Sequence, residues 1–325
     1  VVTAALATDT ANDTVGVTIA DGINVDPRFN LELRVNKVEN IVIRDEDTES
    51  NTVDVWNNLG TPAAKNHNSF QENITGTITV EGENQAGNFL NLDYFGAATN
   101  ILGLDTTGNN VDGTGVLDAG IGIANRFVGE TVDASAYTGD LIVRVAENIA
   151  VPNGTQTILG GSGDDHIVFD ALNNVTAGLS ISDTVDGGEG HDTLYLDGHG
   201  KIVNISASEW TNVSSIEEVH LVGNGQADDT GTAGANDAYG KNAYNLTLTN
   251  DFIAANGEEV AGGRRIIITN DNGATGSAND GVTIDARGLN AQSNFQYNGR
   301  SGDAGVDTAD RFILSDANIN GLALI

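Results

Sequence analysis

Two nine-residue segments limit the folds open to this chain more than any other feature: Gly160-Gly161-Ser162-Gly163-Asp164-Asp165-His166-Ile167-Val168 and Gly187-Gly188-Glu189-Gly190-His191-Asp192-Thr193-Leu194-Tyr195. Both follow the pattern Gly-Gly-x-Gly-x-Asp-x-U-x, where U is a large apolar residue. The glycines let the backbone take conformations closed to other residues and turn its carbonyls toward one point, while the Asp adds an anionic oxygen. The apolar residue at position eight then starts a strand and points into its core. A bare Gly-Gly-x-Gly is also an ordinary tight turn; the trailing Asp and apolar residue, twice over, mark these two out as cation-gathering loops. Calcium takes six to eight hard oxygens, so one loop is too few, neighbouring loops must share each ion, and folding and binding are coupled.

The rest of the chain reads as strand and turn. β-branched runs recur at Val38–Ile43, Gly76–Val80, Leu141–Val145, Ile167–Phe169, Thr193–Leu196, Val219–Val222, Leu246–Thr249 and Ile266–Thr269, with Gly, Asn and Asp between them. Only Ala207–Thr211 and Asp251–Ala255 suggest short helices. With 41 Gly against 3 Pro, the turns must be mostly those that need positive φ. The fold class expected is all-β, built of calcium-stabilised β-solenoid or β-roll-like and β-sandwich-like modules.

Charge narrows the partners. The chain of 325 residues carries 46 acidic against 14 basic side chains, a formal net charge of −32, which repels a phosphate backbone and excludes nucleic acid as a natural partner. There is no Cys, so no disulfide framework. No apolar run is long enough to span a membrane, so no insertion is expected. The amino end lacks both a signal-peptide pattern and an initiating Met, which reads as a piece of a longer polypeptide.

Internal repetition is weak but ordered. Val35–Ile43 reads like Val213–Leu221, each with a Glu (Glu39, Glu217) just before a strand, and Thr131–Ser135 reads like Thr283–Arg287. The order is kept in both halves, which implies two diverged modules, 1–180 and 181–325, with a seam near residues 178–200. The polar stretch Gly223–Asn242 reads as a loop or insertion. Asp303, Asp307 and Asp310 suggest either a third, degenerate ion site or an acidic loop.

The segment running from Val132-Asp133-Ala134-Ser135 through both nonapeptides to Val213–Leu221 resembles the RTX-bearing bacterial surface-layer proteins and large secreted adhesins. The resemblance covers about 90 residues well. It implies that the carbonyls at positions one, three and five and the Asp at six ligate calcium: Gly160, Ser162, Asp164 and Asp165 in one loop, and Gly187, Glu189, His191 and Asp192 in the other. Ion-sharing loops of a regular β-roll are two nonapeptides apart, whereas the loops starting at Gly160 and Gly187 are three apart. If Phe169–Val185 is a hairpin the loops still meet; otherwise each must recruit other carboxylates, with Asp170, Asp183, Asp186 and Asp197 nearest.

Several residues carry a plainer reading beside the functional one. His166 and His191 are expected as solvent-facing loop residues rather than metal ligands, since calcium prefers oxygen. Glu39 and Glu217 are expected as turn caps or solvated strand edges. The threonines of Thr75–Thr79 and Thr247–Thr249 look like a flat ice-binding array, but alternation on a solvated strand explains them more simply, because their spacing does not repeat coil after coil. No His-Glu-x-x-His or Gly-x-Ser-x-Gly motif occurs, and no enzyme is expected. The resemblance implies an extracellular, calcium-dependent structural protein of the bacterial cell surface that self-assembles into a lattice or filament. The alternatives are an adhesin stalk or ligand-binding segment and, more remotely, an accessory domain of a secreted enzyme. The partners implied are copies of the same chain and a cell-surface polysaccharide.

Overall fold

The computed structural model describes residues 2–5, 13–19, 28–36, 40–45, 52–57, 77–82, 89–94, 111–112, 116–117, 131–146, 155–170, 178–197, 202–222, 243–270, 281–299 and 310–315. Among them the chain is all-β apart from one short helix, α1 (Asn250–Ala255). The strands are numbered in chain order. The first sheet holds β1 (Val2–Ala5), β3 (Arg28–Asn36), β5 (Thr52–Asn57), β7 (Phe89–Tyr94), β11 (Asp140–Ala146), β13 (His166–Asp170), β15 (Thr193–Asp197), β18 (Glu218–Leu221), β21 (Gly263–Asn270) and β23 (Ser293–Gly299), in that order. The second holds β2 (Thr14–Ile19), β4 (Asn40–Asp45), β6 (Thr77–Gly82), β10 (Thr131–Tyr137), β12 (Thr157–Leu159), β14 (Thr184–Asp186) and β17 (Val213–Ser214). A third holds β16 (Ile202–Ile205), β19 (Ala243–Thr247), β22 (Val282–Asp285) and β24 (Arg311–Ile313). The pairs just described are parallel; β20 (Glu258–Val260) joins β21 antiparallel, and β8 (Val111–Asp112) and β9 (Val116–Leu117) form a separate antiparallel pair.

Parallel neighbours need a long crossover, and here the crossover is a strand of the opposite sheet. The chain alternates between the first and second sheets, returning to each one position further along. Alternate residues therefore meet in the interior. Val15, Ile41, Ile78, Val132, Ile158, Val185 and Val213 pair in register down the second sheet. Val143, Ile167, Leu194, Val219 and Ile268 do so down the first. All but the half-buried Val15 are sealed in one continuous core, and each large aliphatic side chain so buried contributes about 1.5–3 kcal/mol. Ile167 and Leu194, the apolar residues at position eight of the nonapeptides, are among them, as the motif requires.

The two faces of the sheets differ. Behind the first sheet, Ile142, Val168, Tyr195 and Val222 form a second buried cluster, so that sheet is covered on both sides at β11, β13 and β15, as parallel sheets usually are. The outer face of the second sheet carries half-buried Thr77, Thr131, Thr157 and Thr184 in one column. That spacing does repeat from strand to strand, hidden in the sequence because the four positions are unevenly placed along the chain.

The expected helix at Asp251–Ala255 is present, whereas Ala207–Thr211 lies in a turn. Thr249 caps α1 by accepting from Phe252 N at 3.1 Å, and Trp210 stacks on Phe252 at 4.2 Å between ring centroids. α1 lies over the last strand of the second sheet, with Ser215 N donating to Ala255 O at 3.1 Å. Residue 180 falls between strands that pair across it, β12 with β14 and β13 with β15. Of the repeated segments, Thr131–Ser135 lies in the second sheet and Thr283–Asp285 in the third. The Gly223–Asn242 stretch, Glu39, Asp303 and Asp307, and the side chains of Asp170 and Asp197, lie outside what is described. No helix among the described residues is long and apolar enough to cross a membrane.

Candidate metal centre

The two glycine loops are direct neighbours. Thr157 of β12 pairs with Thr184 of β14, and His166 of β13 with Thr193 of β15, so the segment between the loops is one full passage through both sheets rather than a hairpin. The offset between the loops, three nonapeptides, is the length of that passage. Glu189 N donates to Gly161 O at 2.9 Å, Gly160 N to Asp186 O at 2.7 Å, and Ser162 N to Tyr137 O at 3.0 Å. Residues 137–140, the two loops, and 214–217 thus make four stacked tiers.

The glycines are there because the tiers touch backbone to backbone. A Cβ on Gly188 would lie 2.0 Å from Gly161 O, and one on Gly190 would lie 2.2 Å from Gly163 O; both residues also have positive φ, +102° and +125°. Only glycine combines that φ with that approach.

Carboxylates stitch the tiers together in two columns. At position six, Asp165 Oδ1 accepts from Leu141 N at 2.8 Å and Oδ2 from Gly161 N at 2.7 Å. One tier on, Asp192 Oδ1 accepts from Asp165 N at 2.7 Å, and Glu217 Oε2 from Asp192 N at 2.9 Å. Asn256, at the end of α1, closes the column by accepting from Ile216 N at 3.0 Å. At position five the direction reverses: Asp140 Oδ1 accepts from Asp164 N, and Asp164 Oδ1 from His191 N, both at 2.8 Å. Glu217 is thus the turn cap that its place before a strand suggested. Asp140 and Asn256 were not singled out in the sequence; their only signals are a Gly-Asp pair ahead of β11 and an Asn-Gly pair after α1.

The position-six acids are sealed from water, with Asp165 and Asp192 both at 0% exposure. Burial, opposed by the amide donors and reinforced by neighbouring acids, pushes Asp165 up to about 7 and Asp192 up to about 8. Asp192 Oδ2 and Asp186 Oδ1 are buried without a hydrogen-bond donor. Ser162, Asp164, Glu189 and His191 face solvent, whereas Gly160 and Gly187 are buried. Asp183 stands apart: it precedes β14, while the loop follows it. Its carboxylate accepts from Gln156 N at 2.9 Å and Ser180 N at 2.7 Å, and burial raises its pKa.

His166 departs from the expectation of a solvent-facing loop residue. It opens β13, its ring meets Tyr195 edge-on at 5.3 Å between centroids, and burial lowers its pKa to about 4. His191 is exposed, as expected.

Among the described residues no three His, Cys, Asp or Glu side chains converge as a ready-made metal cage. What the stacked loops offer instead is hard oxygen: two carboxylate oxygens lacking donors, Asp192 Oδ2 and Asp186 Oδ1, in loops that also present backbone carbonyls. That donor set suits calcium in kind, because each carboxylate oxygen has two lone pairs and an amide occupies only one. No family model, curated protein or solved structure matches this chain.

Proposed function

We propose that the chain is a calcium-consolidated β-solenoid segment of an extracellular bacterial surface protein, structural rather than catalytic, and that copies of it assemble into a lattice or filament. The passages through the sheets are its coils, and the glycine loops are the edge along which calcium binds. The observation that carries the reading is Asp192: a carboxylate at 0% exposure with one oxygen lacking any donor. An anion held this way costs several kcal/mol unless a proton or a cation compensates it. The other acids around it, Asp165, Glu217 and Asp164, and the absence of a bonded Lys or Arg among the described residues, favour the cation. The net charge of −32 supports the same partner. It also gives calcium a role in assembly, because bodies so charged repel at close range until the charge is reduced locally.

The test is a calcium titration of the metal-free chain by calorimetry and thermal melting, with magnesium as control. At millimolar calcium, extracellular-type affinities near 0.1–1 mM add about 0.4–1.4 kcal/mol per site by mass action. Magnesium adds little, because it demands octahedral geometry and gives up water reluctantly. Identical melting curves with chelator and with calcium defeat the proposal.

A further inference from the structure

Ser215 is the one non-glycine residue with positive φ among the described residues, at +55°. A side chain resists that left-handed backbone, so the surrounding structure has to hold it there. The hold comes from both sides. Ser214 O accepts from Gly187 N at 3.0 Å, Ser215 N donates to Ala255 O at 3.1 Å, and Ile216 N donates to Asn256 Oδ1 at 3.0 Å. Glu217 ties the tier to the second glycine loop: its Oε2 accepts from Asp192 N at 2.9 Å, and its N donates to Asp192 O at 3.0 Å.

The consequence is the position of the Ser215 carbonyl. A Cβ on Gly187 would lie 1.9 Å from Ser215 O and 2.4 Å from Asp192 Oδ2, so the two oxygens converge beside this glycine. One tier back, a Cβ on Gly160 would lie 2.0 Å from Gly187 O and 2.4 Å from Asp165 Oδ2. Ser215 thus stands to the second loop as Gly187 stands to the first: it holds position one of a further tier whose sequence, Ser214-Ser215-Ile216-Glu217, carries no glycine motif. The two tiers differ in one respect. Asp165 Oδ2 is closed by Gly161 N at 2.7 Å, whereas Asp192 Oδ2, on a residue at 0% exposure, has no donor. Two ligands of one calcium ion, each about 2.3–2.6 Å from it, stand at most about 5 Å apart, and oxygens so close to one point meet that condition.

We propose that Ser215 O is a calcium ligand, paired with Asp192 Oδ2, so that the second loop shares its ion with the motif-free tier 214–217. This ligand rests on the calcium reading above and lies outside both nonapeptides; it is the carbonyl that serves, and the Ser215 hydroxyl has no part. The test is nuclear magnetic resonance on the whole chain, isotopically labelled at the serine carbonyl carbons and the isoleucine nitrogens. Only two Ser-Ile pairs then give carbonyl–nitrogen signals, Ser180-Ile181 and Ser215-Ile216. As calcium is titrated at constant ionic strength, the Ser215 carbon moves downfield to saturation, because a bound cation polarises the carbonyl it touches. The Ser180 carbon stays in place, and in Asp192→Asn the Ser215 carbon stays as well. Ser215→Gly, which takes the same φ freely, keeps the wild-type calcium affinity, and Ser215→Val, which resists it most, weakens binding at least tenfold. A Ser215 signal that moves no more than Ser180 while calcium binds, or equal affinities in the two Ser215 variants, overturns the proposal. Should Ser215→Val fail to fold, the carbonyl signal of the unaltered chain decides alone. If no calcium binds at all, the calcium reading falls together with this ligand; if calcium binds and Ser215 does not respond, only this ligand falls.

Discussion

Replacing Gly188 by alanine tests whether the loops are held together tier against tier. The new Cβ would lie 2.0 Å from Gly161 O, whereas ordinary contact begins near 3.4 Å, so the tiers must part by the difference. Bonds of 2.9, 2.7 and 2.8 Å cross that gap: Glu189 N to Gly161 O, Gly160 N to Asp186 O, and His191 N to Asp164 Oδ1. Lengthened by that much they cease to be hydrogen bonds, and at about 0.5–1.5 kcal/mol each their loss costs about 1.5–4.5 kcal/mol. Holding alanine at φ +102° adds about 1–3 kcal/mol of strain. Gly262 is the control, because its φ is +99° and nothing lies within 4 Å of the Cβ position. Gly262→Ala bears the same strain and the same change in unfolded-chain entropy, but no collision. Urea unfolding followed by circular dichroism should therefore show Gly188→Ala less stable than Gly262→Ala by about 1.5–4.5 kcal/mol, the worth of the three broken bonds. Equal losses refute the stacked-tier account.

Asp165→Ala strips the acceptor from two buried amides, Leu141 N and Gly161 N, and should cost about 2–6 kcal/mol even without calcium. His191→Ala, with its ring exposed, should stay within about 0.5 kcal/mol of wild type in the same melt. Asp165 and Asp192 bind protons more tightly folded than unfolded. Their contribution to the stability of the metal-free chain is thus fully present below the ordinary carboxylate range and is lost as pH rises through about 7 to 8. Melting temperature in metal-free buffer should fall from pH 5 to pH 8, and calcium should abolish the fall; a flat profile without metal contradicts the burial argument. Light scattering at constant ionic strength should show calcium converting monomers into sheets or filaments, and monomers persisting at millimolar calcium would favour an adhesin stalk over a lattice.

The sequence was most informative where one residue type does one job. Each of the eight strand-like runs overlaps a strand, because Val, Ile and Thr on alternate positions suit a pleated, half-buried surface. The apolar residue at position eight is buried at Ile167 and Leu194 because the loop delivers it to the start of a strand. Partner choice was not legible. Thr77-Ile78-Thr79-Val80 says that Ile78 faces in, but not that it pairs with Val132 across a long intervening segment. Comparison with a regular spacing of two nonapeptides likewise concealed that three nonapeptide lengths make one complete passage here. The site was half legible. The pattern located Asp165 and Asp192, but two of the amides they cap, Leu141 N and Asp165 N, come from neighbouring tiers. Asp140 and Asn256 enter the columns from outside any motif, through positions set only by the stacking. His166 was misplaced because the residue after the motif Asp already belongs to β13.

The most direct measurement of the central claim is the response of Asp192→Asn to calcium. An amide oxygen preserves the acceptor for Asp165 N, while the substitution removes the buried negative charge and the oxygen that has no donor. If that carboxylate serves calcium, the variant should melt at or above the wild type in metal-free buffer at a pH above about 8, where Asp192 is ionised, because an uncompensated buried charge is gone. It should also bind fewer calcium ions and lose part of the stabilisation that millimolar calcium gives the wild type. A variant with the full calcium stoichiometry and the full calcium-induced rise in melting temperature would show that Asp192 does no more than cap a backbone amide, and would contradict the account.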